Sequence, residues 1–216
     1  MIKINNRLKL IGDLVNKNDN VLDIGCDHGL LEIYLLKKKI KVVGTDNKKG
    51  PLDICKSNLK KEKLKCELRL GDGLDTYKDE DTVIISGMGG LNIIKILNND
   101  VNKSKKVNKY ILSPNNYIKN VREYMSKLGY YIDDERLVKD KYIYNIIIFK
   151  KGKKRYSKKE YFFGPILLNK KNKLFKEYYE KDLNSKEIIF NLLPKNDYYH
   201  RLLLHSTIKM IKKELN

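Results

Sequence analysis

Residues 21–29, VLDIGCDHG, constrain the fold of this chain more than any other stretch. An apolar strand ending in an acidic residue runs into a tight glycine turn that opens a helix. Open parallel α/β sheets bind ligands in the crevice beyond such a strand's carboxyl end. The loop is not a pyrophosphate site, because GxGxxG needs three glycines for the backbone N–H groups to approach phosphates. Only Gly25 and Gly29 are present, and Cys26, Asp27 and His28 fill the middle. Asp27 would repel a pyrophosphate. A glycine-poor, acidic loop suits a cationic, phosphate-free cofactor, and S-adenosylmethionine, with its sulfonium and ammonium groups, meets that description better than NAD.

The 216 residues can hold one well-buried α/β domain and a modest appendage. No apolar run approaches ~18 residues and the first residues are charged, so neither a membrane span nor a signal peptide is expected. Cys26, Cys55 and Cys66 lack metal or disulfide spacing, which predicts reduced thiols in a cytoplasmic protein. The net charge of +19 reads as an electrostatic footprint for nucleic acid. AT-rich coding would enrich Lys, Asn and Ile equally well. Distribution bears on the choice: residues 151–216 carry 17 Lys and Arg against 7 Asp and Glu.

Apolar Leu8, Ile11, Leu14 and Val15 predict a first helix capped by Asn5 or Asn6. Strands follow at 21–24, 40–45, 66–70, 82–86 and 109–113, with helices at 30–38, 51–61, 91–98 and 117–128 between them. This βαβ rhythm predicts a parallel sheet covered on both faces. After Gly129, 130–139 and 141–149 read as two strands without an intervening helix, the closing antiparallel hairpin of class I methyltransferases. The basic stretch GKKRYSKKE sets the expected domain boundary, giving a cofactor domain at 1–152 and a basic helical domain at 153–216. In the latter, a helix carrying Leu168, Phe175, Tyr179 and Leu183 runs toward Leu192 and ends at Pro194. A second, capped by Asn196 or Asp197, repeats Leu204, Ile208, Ile211 and Leu215 as a coiled-coil-like seam.

Asp46, at the end of the second strand, can accept both ribose hydroxyls, with Asn47 beside it, although a strand-end Asp also caps helices. In GDGL, Asp72 can accept from an adenine amino group, with Gly73 in the turn and Leu74 packed on the ring. Asp23, Gly25, Cys26 and His28 belong to the first cofactor loop. Ser86, Gly87 and Met88 open SGMGG, where backbone approaches a ligand or simply turns. Asn115 in LSPNN matches the Watson–Crick edge of adenine or caps the next helix. No HxxxH or CxxC pattern predicts a metal site. No cysteine follows the fourth or fifth strand, which argues against cytosine-C5 chemistry and for methylation at nitrogen.

Together these blocks resemble the bacterial TrmK family of tRNA adenine-N1 methyltransferases. The resemblance rests on DIG-x-DH at 23–28, GDGL at 71–74, GMGG at 87–90 and L-x-PN at 112–115, with Arg7-Leu8 and the GP pairs Gly50-Pro51 and Gly164-Pro165. It implies an S-adenosylmethionine-dependent, Rossmann-like domain, a C-terminal coiled-coil domain and methylation of adenine 22 in tRNA. No oligomer, membrane or metal is required. The chain departs from the family at Ser113, where Gln is common, and at Asn145, where Glu follows Tyr.

Adenine N1 is a neutral nucleophile, so displacement at a sulfonium methyl needs alignment more than activation. Positive charge then develops on the ring, and Asp27 is the candidate to stabilise it or accept a proton, with Asn115 beside the base. N1 is hidden in a base pair, so the nucleotide must be unpaired or flipped. Arg7, Tyr117 and Tyr144 are the candidate substrate contacts, though either tyrosine could be core. The rivals are a nicotinamide oxidoreductase and a non-catalytic RNA-binding relative.

Overall fold

The computed structural model describes residues 4–216. Asn5 caps α1 (Asn6–Asp13) by accepting from the Leu8 N–H at 2.8 Å. Then β1 (Asn20–Ile24), α2 (Leu30–Lys37), β2 (Lys41–Asp46), α3 (Lys49–Lys61) and β3 (Glu67–Leu70) alternate as the sequence pattern requires. A 3-10 turn at Gly73–Thr76 leads to β4 (Thr82–Ser86) and α4 (Gly90–Asn99). A short α5 (Val101–Lys106), absent from the sequence expectation, precedes β5 (Lys109–Ser113) and α6 (Ile118–Leu128). Its lysine-rich sequence has no apolar face to signal it, and Asp100 starts it by accepting from the Lys103 N–H.

The sheet closes with β6 (Tyr130–Lys139) and β7 (Ile143–Lys151) in the order β3-β2-β1-β4-β5-β7-β6. Strands β1 to β5 are parallel, whereas β7 runs antiparallel to both β5 and β6. This is the class I methyltransferase architecture expected from the sequence. Successive strand residues face opposite sides. Leu22, Ile24, Val83, Ile85 and Leu112 therefore pack into one core, and Val21, Ile84 and Ile111 into the other, with α1 and α2.

The first compact unit runs to Ile166, beyond the boundary expected at Gly152. The reason is a buried anchor. Arg122, on α6, donates through Nε to Glu135 at 2.7 Å and through Nη1 to the carbonyls of Tyr161 and Phe162, both at 3.0 Å. Those carbonyls belong to α7 (Lys158–Phe163), which opens on a Ser157/Glu160 capping box. Glu135 accepts in turn from the Ile166 N–H, and Phe163 is wholly buried. The residues that follow the basic stretch, 161–166, complete the first unit rather than open the second.

The second unit, Leu167–Asn216, is helical. The single helix expected after Pro165 is two: α8 (Pro165–Lys170) and α9 (Lys173–Leu192), separated at Lys171, whose φ is +38°, with Asn172 capping the second. Asp197 caps α10 (Tyr198–Leu215), and Arg201 closes the turn by donating to the carbonyls of Phe190 and Leu193. Ile208 and Ile211 of the expected seam are buried. No helix among the described residues is long and apolar enough to cross a membrane.

Candidate functional site

Two cavities open at the carboxyl ends of the parallel strands. One, of about 180 Å³, is lined by Asp72 and Gly73 and by Asn92, Lys95 and Ile96 of α4. The other, of about 420 Å³, is lined by Asp23, Cys26, Asp27, His28, Ser86 and Gly87, with Arg7 at its edge. Gly25, Asp46, Asn47 and Met88 line both, so the cavities adjoin. Leu74 lines neither. It is buried in the central core, because the 3-10 turn directs it inward, and Ile96 is the apolar side chain available to a base in that cavity.

The first loop turns where glycine is required. Gly25 has φ +83°, and a Cβ there would overlap the Met88 methyl, so both its backbone angle and its bareness are used. Asp46 accepts from the Lys48 N–H at 3.0 Å in the turn before α3, whose N-cap Lys48 has no side-chain capping bond, so Asp46 serves a turn rather than the helix cap that the sequence had left open beside the ribose role. The turn and the ribose role are compatible, since a carboxylate offers about four acceptor sites. Asp27 has φ +48° and is exposed, with Oδ2 2.7 Å from Nδ1 of His28.

Beneath this loop lie groups of the opposite character. Asp23 is 4% exposed, and burial pushes its carboxyl up to about 7, partly offset by a hydrogen bond with Glu32. Glu32, wholly buried on α2, is driven well above the usual carboxylate range by burial and by Asp23. Cys26 contacts Cys55, and that contact together with burial raises its thiol. A protonated, buried thiol is no nucleophile. Among the described residues no group of three or more His, Cys, Asp or Glu side chains could hold a metal ion.

Arg7 organises the far wall. Its guanidinium carbon lies 4.6 Å from the centre of the Tyr144 ring, and its Nη1 donates to Asn115 Oδ1 at 3.4 Å. Asn115 Nδ2 donates to the Gly87 carbonyl at 2.7 Å. The expected substrate residues Arg7 and Tyr144 therefore join Asn115 in one cluster against the SGMGG turn. Tyr144 is half-buried and Tyr117 is 54% exposed, so neither is core. Tyr117 holds φ +50° at the start of α6, a strained conformation of the kind found at functional sites. Asn116 is the structural member of the LSPNN turn, its Oδ1 accepting from the Gly90 N–H.

Besides Asn92, Lys95 and Ile96 of the smaller cavity, two contributors escaped the sequence reading. Asp140, in the β6–β7 turn, accepts from the Asn6 and Arg7 N–H groups and so fixes the start of α1, 133 residues away from Arg7. Nothing in its neighbourhood announces that partner. Glu32 did carry a signal, a lone acid within the apolar helix LLEIYLL.

The family model for tRNA (adenine(22)-N(1))-methyltransferase, TrmK, matches residues 21–213. The Bacillus subtilis tRNA (adenine(22)-N(1))-methyltransferase is 27% identical over 202 residues, covering 88% of this chain and 85% of that protein. The structure of Mycoplasma capricolum TrmK with S-adenosylhomocysteine superposes with TM-score 0.86 at 28% identity, covering 98% of this chain and 97% of that one. Streptococcus pneumoniae Sp1610 in complex with S-adenosyl-L-methionine gives TM-score 0.90 at 26% identity, over 99% of this chain and 100% of that one.

Proposed function

The chain belongs to the TrmK family of tRNA (adenine(22)-N(1))-methyltransferases, and on that premise we propose how its residues divide the work. The adjoining cavities fit S-adenosylmethionine. Asp23, buried and without a basic partner among the described residues, provides the floor that an ammonium group would complement. Asp46, shared by both cavities, is placed for the ribose hydroxyls, with Asp72 and Ile96 for the base. The observation that carries this reading is that one carboxylate, Asp46, lines both of two adjoining cavities, one floored by Asp23 and the other bounded by Asp72 and Ile96.

The cofactor supplies an electrophilic methyl group. The chain's own residues align the acceptor. Asn115, held by Gly87 and Arg7, presents an amide to the Watson–Crick edge of adenine beside the SGMGG turn. Tyr117 offers an exposed ring on which a flipped base can stack. Asp27, whose exposure keeps it free to meet the ring, stabilises positive charge as it develops. The second unit contributes lysines for RNA phosphates, a sequence-independent grip.

Transfer of labelled methyl from S-adenosylmethionine to tRNA, with the modified nucleotide mapped, tests this reading. Label is expected at N1 of adenine 22. Label in protein or small molecules instead, or hydride exchange with a nicotinamide, would overturn it. The latter is disfavoured by the acidic first loop, which lacks a phosphate cradle.

A further inference from the structure

Glu32 is the buried titratable group that the mechanism leaves unused. Its side chain is wholly enclosed, and neither carboxyl oxygen finds a donor on any other described residue. Gly44 makes the space: a Cβ there would lie 2.9 Å from Glu32 Oε1, and Gly44 is the register partner of Asp23 across β1 and β2. An ionised carboxylate with no donor in a buried site is costly, and the group neutralises instead. The hydroxyl of a protonated Glu32 has one acceptor at hand, the Asp23 carboxyl.

We propose that Glu32 is a positioning residue, an un-ionised acid that donates a hydrogen bond to Asp23 and orients it to receive the cofactor's ammonium group. The inference rests on the reading of the larger cavity as the site for that group. Asp23 and Glu32 form a coupled pair, so their protons leave in steps that belong to both. The first step falls near 7, where burial has moved Asp23, and the second lies well above it. Below that first step the empty site holds two protons. Arrival of an ammonium ionises Asp23 and expels one of them, whereas above it the proton has already left.

Three thiols and several charged side chains also face the pair. Cys26 in the loop and Cys66 beside β3 are raised by burial and neighbouring groups, Cys66 to about 12. Cys55 on α3 is lowered by its contact with Cys26. Arg7, Asp46 and Lys48 line the same cavity. His28, paired with exposed Asp27, lies at the cavity's edge.

The test is calorimetry of S-adenosylmethionine binding to the full chain in buffers of different ionisation enthalpy, at several pH values. Close to one proton is expected to leave per cofactor bound at about pH 6 and almost none at about pH 8, with affinity rising nearly tenfold per pH unit below 7. Glu32→Gln, whose amide also donates, keeps the affinity and the midpoint. Glu32→Leu removes the donor, weakens binding about tenfold or more at neutral pH and moves the midpoint upward. Wild-type binding without proton release, or a Glu32→Gln variant that behaves like Glu32→Leu, would overturn the proposal and leave the cofactor site standing. No binding heat at any pH would overturn the cofactor reading itself. The wild-type proton count needs no variant, so an unstable Glu32→Leu protein does not remove the test.

Discussion

Where the chain is cut should decide whether the first unit survives without its tail. Ending the protein after Lys170 keeps α7, α8 and every partner of Arg122 and Glu135. Ending it after Gly152 removes the Tyr161 and Phe162 carbonyls, the Ile166 N–H and the buried Phe163 ring. Hydrogen bonds to charged groups contribute about 1.5–3 kcal/mol each. Burying a Phe side chain contributes about 1.5–3 kcal/mol. The shorter protein therefore loses about 6–12 kcal/mol, against a total stability of about 5–15 kcal/mol for an ordinary domain. It should be largely unfolded at 25 °C, whereas the Lys170 truncation should unfold cooperatively and bind S-adenosylmethionine. Denaturant titration followed by circular dichroism, with calorimetry of cofactor binding, measures both. If the two truncated proteins differ by less than about 1 kcal/mol, the buried anchor does not hold the domain together. The Lys170 truncation should also grip tRNA poorly, with the slope of log affinity against log salt flattened by about 0.9 per lost phosphate contact on the B-DNA scale. An unchanged slope would exclude the tail as an RNA contact.

Asp46→Ala should weaken S-adenosylmethionine by about 1.5–3 kcal/mol in calorimetry, the range for a charge-assisted hydrogen bond; undiminished affinity would remove Asp46 from the site. Asp27→Asn should lower single-turnover rate at saturating cofactor far more than it weakens tRNA binding, and a wild-type rate would reject its role. Asp140→Ala frees the start of α1 and should cost about 1 kcal/mol, while lowering tRNA methylation more than cofactor affinity through misplacement of Arg7. Equal losses in both would show that Arg7 is not steered by that turn. Burial works against Asp19, but hydrogen bonds from Lys109 and Thr82 hold it below the ordinary carboxylate value. Its stabilising contribution is present above about pH 4 and is lost as pH falls through the lower folded value. The fall in urea midpoint between about pH 5 and pH 2 should be shallower in Asp19→Asn.

The parallel half of the sheet was legible because its central strands are short apolar runs ended by Gly, Asp or Ser, and because β3 alternates charged and apolar residues before Gly71. The loops that line the two cavities were legible for the same reason: Asp23, Asp46 and Asp72 stand at strand ends, where the fold itself aims them. Side chains whose place depends on distant contacts were not. Leu74 reads as a ring-packing residue beside Asp72, yet a 3-10 turn sends it into the core. Arg7 was recognisable, but its setting comes from Asp140 and Tyr144, which only the folded hairpin brings near. Lysine-rich composition concealed α5 and the true end of the first unit, because charge reports solvent exposure and says little about backbone carbonyls.

The position of β7 has a consequence for synthesis. Every residue lining the two cavities precedes Asp100, whereas the edge of β5 stays unpaired until β7 has left the ribosome and inserted beside it. At ordinary elongation rates that interval lasts on the order of seconds. For that time the nascent chain presents Tyr110, Ile111 and Leu112 as an open apolar edge, a template for pairing with another chain. The residues that line both cavities are thus made before the strand that completes the sheet, and the growing chain passes through that stage with the edge of β5 uncovered.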